Sequence, residues 1–187
     1  TNKLRRVKDP AGQWLYTGDL DDQTHDNNYE YDEIGNMISD SSENIVASVG
    51  GIKWNVYGKI TEVNRSSATT ISNTKKITYS YDAQGNRIGK VVEKFGTSSK
   101  DYTWYVRDAQ GNIMAVYSAS GSSSNLSNLY LEQKERVIYG SSRLGSDYWT
   151  IPVDSPLNSL QYFTFQTYKR GWRRYELTNH LGNVMAV

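Results

Sequence analysis

The sequence predicts an all-β chain of repeated antiparallel β-hairpins with little or no helix. A short string of the form Tyr-Asp-x-x-Gly-Asn recurs along it, apolar and polar residues alternate on either side of that string, and the composition suits strands. The 187 residues include 15 Tyr and 5 Trp against 3 Phe, and the mean hydropathy is −0.69. Aromatic and β-branched side chains fit a pleated, half-buried surface, whereas a helix bundle would be rich in Ala, Leu, Glu and Lys.

Four segments carry the repeat. They are Tyr-Asp-Glu-Ile-Gly-Asn-Met-Ile at 31–38, Tyr-Asp-Ala-Gln-Gly-Asn-Arg-Ile at 81–88, Arg-Asp-Ala-Gln-Gly-Asn-Ile-Met at 107–114 and Thr-Asn-His-Leu-Gly-Asn-Val-Met at 178–185. A degenerate copy, Asn-Val-Tyr-Gly-Lys-Ile, occupies 55–60. Gly35, Gly58, Gly85 and Gly111 follow at intervals of 23, 27 and 26 residues, and Gly182 lies 71 further on. A worn copy at Tyr139–Gly145 fills part of that gap. Recurrence at such a period argues for stacked hairpins rather than one small closed barrel.

Each unit reads as a hairpin whose turn chemistry is supplied locally. Tyr31, Asp32, Gly35 and Asn36 define the first unit, and Tyr57 and Gly58 mark the degenerate one. Tyr81, Asp82, Gly85 and Asn86 define the next, Asp108, Gly111 and Asn112 its successor, and Gly182 and Asn183 the last. An Asp at the turn entrance can accept from backbone amides two residues on. Glycine supplies a positive φ without steric cost, and Asn is expected to tolerate the left-handed region beside it. The Tyr residues recur in phase with the units, so they are expected to pack against neighbouring hairpins.

The strands follow in order. Leu4 to Lys8 reads as a strand closed by an Asp9-Pro10 turn. Ile52, Trp54 and Val56 alternate with polar residues before Gly58, and Ile60 and Val63 continue after it. Ile77, Tyr79 and Tyr81 share a face and enter the Asp82 turn, and the chain returns through Arg87 to Val92. Tyr102, Trp104 and Val106 enter the Asp108 turn, and Ile113, Ala115 and Tyr117 leave it. Phe163 and Phe165 alternate similarly. Leu126 to Tyr139 also has helix-like spacing, against which the repeat context favours strand. The tract from Ser66 to Asn73 and the serine-rich 118–125 read as exposed loops.

Several function classes are disfavoured. A net charge of +1 without a basic run gives no reason to expect nucleic-acid binding. No stretch approaches the roughly 18–20 apolar residues of a membrane span, and Thr1 to Pro10 lacks the apolar centre of a leader. The chain contains no Cys, which removes thiol chemistry and cysteine-based zinc sites. Asp19, Asp21, Gln23, Asn27 and Glu30 fall at calcium-loop positions, but Thr24 stands where that loop needs glycine, so a polar connection is the simpler reading. His25 and His180 are the only histidines, and His180 sits at a turn position held by Gln84 and Gln110 in sibling units. No nucleophile elbow or phosphate loop is present, and the paired carboxylates Asp21 and Asp22 are adjacent, so in a strand they would point to opposite faces. The expectation is therefore no enzyme, no cofactor and no metal. Trp149 and Trp172 fall out of phase with the repeat and are the candidates for stacking against a ligand.

The Tyr-Asp-x-x-Gly-Asn units resemble the repeat of the bacterial YD-repeat, or RHS (rearrangement hot spot), family. The runs Gly51–Ile60, Ile138–Gly145 and Arg174–Asn183 are similar to the segment leading into the RHS core of large exported bacterial proteins. The resemblance covers nearly the whole chain and implies a spiral, solenoid-like sheet forming a hollow shell. In toxin-bearing members such a shell encloses a C-terminal effector. It also implies a secreted or cell-surface location, with the remainder of a longer chain, an enclosed effector, export machinery or other surface proteins as partners. A paired Asp-Pro-x-Gly motif serves self-cleavage in such members. This chain has one such string, Asp9-Pro10-Ala11-Gly12, near its start, so no self-cleavage is expected within it. On this reading residues 1–187 are a single repeat array and a piece of a longer protein. An adhesion module binding glycans or proteins through exposed Tyr and Trp faces is the alternative.

Overall fold

A computed structural model describes residues 2–9, 23–69, 72–122, 131–148, 150–153, 171–178 and 184–186. Over these the chain is all-β. Its strands are β1 (Tyr29–Tyr31), β2 (Met37–Asp40), β3 (Ile52–Trp54), β4 (Ile60–Asn64), β5 (Thr74–Tyr81), β6 (Arg87–Lys94), β7 (Ser99–Arg107) and β8 (Ile113–Ser122). There follow β9 (Glu132–Tyr139), β10 (Arg143–Asp147), β11 (Ile151–Pro152), β12 (Arg173–Tyr175), β13 (Leu177–Thr178) and β14 (Val184–Ala186). One turn of 3-10 helix, Ala47–Val49, precedes β3.

A large antiparallel sheet of ten strands has the order β12-β10-β9-β8-β7-β6-β5-β4-β3, with β11 beside β9. From β3 to β10 each strand pairs with its successor, which is what short local hairpins produce. The sheet does not close on itself. β1 with β2, and β13 with β14, form separate two-stranded pairs. The chain divides into two compact units, Thr1–Ser80 with Val92–Ser98, and Tyr81–Val91 with Ser99–Val187.

In the first unit, Ile45 and Ile52 are buried together with three polar residues, Gln23, Asn28 and Ser39. Asn28 is fully enclosed, and its groups are matched one by one. Its backbone N–H donates to Arg5 O at 2.8 Å and its carbonyl accepts from Ser41 N at 2.9 Å. Its side-chain amide donates to Asp40 Oδ1 at 2.8 Å and accepts from Ser42 N at 2.7 Å. Gln23 accepts from Val7 N at 2.8 Å and donates to the Tyr29 hydroxyl at 2.7 Å. Leu4 to Lys8 is therefore not the strand its sequence predicts. Arg5 and Val7 spend their backbone groups on these buried amides rather than on a ladder.

Gly51 lets the 3-10 turn enter β3. Its φ is +42°, and a Cβ there would stand 2.1 Å from Ile38 O. Only glycine fits so close to another backbone. Across β3, β4 and β5, Glu62 receives Lys53 at 2.8 Å and Lys76 at 3.1 Å. Those ammonium groups, Lys53 first, hold its carboxyl down at about 2.

Among the described residues of the second unit, Ala115, Ala119 and Val137 are buried, accompanied by Ser146 and Asp147. β7 and β8 pair over their whole lengths, from Ser99↔Ser122 to Arg107↔Ile113. Ser118 to Ser122 thus extends a strand, and the loop expected there is corrected. Ser118, Ser120 and Ser122 stand opposite Thr103, Asp101 and Ser99 of β7. Residues 132–139 are strand β9, not helix, held between β8 and β10. The 126–130 part of that expectation, like Phe163 and Phe165, lies outside the described residues.

Candidate functional site

The repeated turns are the feature that sequence and structure share. At Asp32 the carboxylate Oδ1 accepts from Ile34 N at 3.1 Å and Asn36 N at 2.7 Å, while Oδ2 accepts from Asn36 Nδ2 at 2.9 Å. The backbone closes the loop, with Asp32 N donating to Asn36 O and Gly35 N to Asp32 O. Asp82 takes Asn86 N at 2.8 Å and Asn86 Nδ2 at 3.1 Å. Asp108 takes Gln110 N at 3.0 Å, Asn112 N at 2.8 Å and Asn112 Nδ2 at 2.9 Å. Gly35, Gly85 and Gly111 have φ of +99°, +81° and +89°, a region closed to most side chains.

Asn36, Asn86 and Asn112 do not occupy the left-handed region expected of them. Among the described residues only Asn44 does so without being glycine. Each instead clamps the carboxylate at the turn entrance. At Asp32 and Asp82 loss of solvation pulls the carboxyl upward, and the hydrogen bonds from Asn36 and Asn86 outweigh it. At Asp108 the Asn112 side-chain amide is the largest influence. All three carboxyls are held below their ordinary value.

The degenerate copy keeps the fold of this turn with different chemistry. Asn55 Oδ1 accepts from Tyr57 N and Lys59 N, both at 3.0 Å, and Gly58 has φ +69°. Asn55 stands in for the aspartate, Lys59 for the asparagine, and Trp54 holds the place of the leading tyrosine. Val56 and Tyr57 are consequently turn-tip residues, 93% and 81% exposed. The expected strand position for Val56 and the expected packing for Tyr57 are both corrected. Tyr31 is half-buried, with its hydroxyl on Leu4 O at 3.1 Å, and Tyr81 is half-buried.

Successive turns of the second unit are linked by Arg107, which takes the tyrosine position of its unit. Its Nε donates to Arg87 O at 3.0 Å and its Nη1 to Gly111 O. Asn86 meanwhile lies against Gly111, where an added Cβ would meet its amide at 3.2 Å. Gly182, Asn183, His180 and Trp149 lie outside the described residues, as do Asp19 and Asp21 of the calcium-like string. Gln23 of that string is committed to the buried network. Trp172 is half-buried, and its carbonyl accepts from Tyr148 N at 2.8 Å.

Two further polar clusters lie in the second unit. Ser146 Oγ donates to Glu135 Oε1 at 2.6 Å and accepts from Arg143 Nη2 at 3.1 Å, and Arg143 Nε reaches Glu176 at 2.7 Å. Buried as it is, this serine offers no accessible nucleophile. Asp147, 3% exposed, receives Arg136 at 3.1 Å and Arg173 at 3.5 Å on one oxygen. An open groove of about 530 Å³ is lined by Lys3, Leu4, Arg5, Tyr29 and Tyr31 among others. Among the described residues no cluster of acidic residues and histidines could hold a metal ion, and no helix is long and apolar enough to cross a membrane.

No described protein family matches this chain, and no curated protein matches it.

Proposed function

We propose that this chain is a non-catalytic structural part of an RHS/YD-repeat shell in a large exported bacterial protein. The observation that carries the reading is the repeated turn. Three Asp-x-x-Gly-Asn strings adopt one clamped geometry, a fourth keeps the backbone turn with Asn55 and Lys59, and each joins two neighbouring antiparallel strands. A wall that grows by adding such hairpins can wind into a spiral and enclose an effector at the C-terminal side. The remainder of the longer chain would cover the sheet edges, and export machinery would handle the whole.

Unpaired strand edges invite association, so the isolated 187 residues are expected to be poorly soluble or held by a partner. Sedimentation velocity on the purified chain tests this. A monodisperse monomer that unfolds in one cooperative step would count against the open-shell reading.

A second reading, surface adhesion, is favoured by one observation. Trp104 is 38% exposed, and its ring stacks on Tyr102 with centroids 5.6 Å apart and planes 6° from parallel.

A further inference from the structure

We infer that one face of the second unit's sheet binds a carboxylate-bearing oligosaccharide across Trp104 and the Arg136–Arg173 pair. The inference rests on the surface-adhesion reading and names its ligand class. Register places the residues. Trp104 stands opposite Tyr117, which stands opposite Gln133. In the adjacent row Val106 faces Ala115, Ala115 faces Arg136, Arg136 faces Asp147 and Asp147 faces Arg173. Directly opposed residues share a face of a sheet, so the aromatic pair and the arginine row lie side by side.

Charge separates the two faces. Asp101, Glu132 and Glu135 stand opposite Ser120, Ser118 and Val116, and so point to the other side. On the Trp104 face of β8, β9, β10 and β12 the paired acid is Asp147, whose single negative charge is buried between two guanidinium groups. The side chains of Arg136 and Arg173 remain 53% and 41% exposed. The row therefore presents a positive surface, and a planar guanidinium fits a carboxylate better than a point charge does.

The aromatic part suits a sugar ring. Pyranose C–H groups pack against the electron-rich face of an indole or phenol. Stacking on Tyr102 holds the Trp104 ring in place, so little rotamer freedom is lost on binding. Trp104 and Arg136 stand two strands and one row apart, about 12 Å, a distance a short oligosaccharide spans. Gln133, which ends the Trp104 row on the strand that carries Arg136, offers an amide to ring hydroxyls.

The test is calorimetric titration of the 187-residue chain with tetragalacturonate, sialyllactose and the neutral cellotetraose. Binding of an acidic saccharide at least about tenfold tighter than cellotetraose is expected, and the two acidic arms separate uronate from sialate recognition. Trp104→Ala should weaken it by about tenfold and Trp104→Phe by less. Arg136→Lys, which keeps the charge beside Asp147, should weaken it several-fold while circular dichroism stays unchanged. Equal binding of cellotetraose would overturn the carboxylate class yet leave adhesion standing. Unaltered binding by Trp104→Ala, with loss in Trp172→Ala, would overturn the location. Silence of all three saccharides would overturn both the inference and the glycan form of the adhesion reading.

Discussion

The side-chain amide of Asn86 donates to Asp82 Oδ2 at 3.1 Å while its backbone N–H donates to Oδ1 at 2.8 Å. One asparagine thus holds both oxygens of the carboxylate that opens its turn. The same pair recurs at Asp32 with Asn36 and at Asp108 with Asn112.

This clamp predicts a graded response to substitution. Asp82→Ala removes the acceptor for two backbone amides, and thermal unfolding should shift down by several degrees. Asp82→Asn keeps an acceptor oxygen, as Asn55 does at 3.0 Å in its own turn, and should cost less. Asn86→Ala, losing only the side-chain half, should also be milder than Asp82→Ala. An unchanged melting temperature in Asp82→Ala would show that the clamp does not stabilise the hairpin.

Two glycines with positive φ should respond very differently to alanine. Gly58 has open space around a would-be Cβ, so Gly58→Ala should cost only the backbone strain, about 1–2 kcal/mol. Gly51→Ala adds a clash with Ile38 O at 2.1 Å and should cost upwards of about 3 kcal/mol. Urea denaturation of the two variants compares them directly.

Asn28 is a polar residue in a core position, and its replacement should be severe. Asn28→Ala leaves Ser42 N without its acceptor and takes one donor from Asp40 Oδ1, which keeps Ser42 Oγ at 2.9 Å, and this predicts a loss of roughly 1–3 kcal/mol. Asn28→Asp sets a second carboxylate against Asp40 Oδ1 and should be worse still at pH 7. Its deficit relative to the parent chain should narrow as pH falls and the new carboxyl is protonated. Denaturation midpoints at pH 7 and pH 5 would read this.

Acid should destabilise the chain in a defined window. Asp32, Asp82, Asp108 and Glu62 all have folded values below their ordinary ones, Glu62 reaching about 2. A depressed carboxyl contributes stability above its unfolded value and loses it as pH falls through the folded one. Stability is therefore expected to hold from pH 7 to about 5 and to decline steadily below about 4.5 toward 2. Glu62→Gln should flatten the lower part of that decline, because Lys53 and Lys76 then lose their acid-sensitive partner. A pH series of melting curves decides it.

Much of this fold was legible because its signals are local. Asp32, Asp82 and Asp108 with the following glycines located three hairpins, since every bond of such a turn lies within five residues. The degenerate copy is visible in the sequence, but its register is not. Trp54 and Asn55 hold the Tyr and Asp places, so Val56 and Tyr57 fall at the tip. The clamp by Asn36, Asn86 and Asn112 is not legible from turn propensity, which accounts for asparagine through backbone tolerance and leaves its amide unused. A signal existed nonetheless in the constant four-residue spacing of Asp and Asn.

Other features had no local signal. Ser118 to Ser122 looks like a loop by composition and becomes strand because Ser99 to Thr103 lies beside it. Asn28 looks like any polar residue and is buried because Arg5, Asp40 and Ser42 converge on it. The segregation of Glu132 from Arg136 depends on a bulge in the β8–β9 pairing, because residues four apart in a regular strand share a face.

The sequence by itself determined the strand-forming composition, the repeat and the chemistry of its turns, because an aspartate can reach an amide four residues away whatever surrounds it. The tertiary structure alone decided strand register, which polar residues are enclosed, and which face carries Trp104 beside Arg136. Those outcomes depend on partners distant in the chain, and a single bulge transfers a side chain from one face of the sheet to the other.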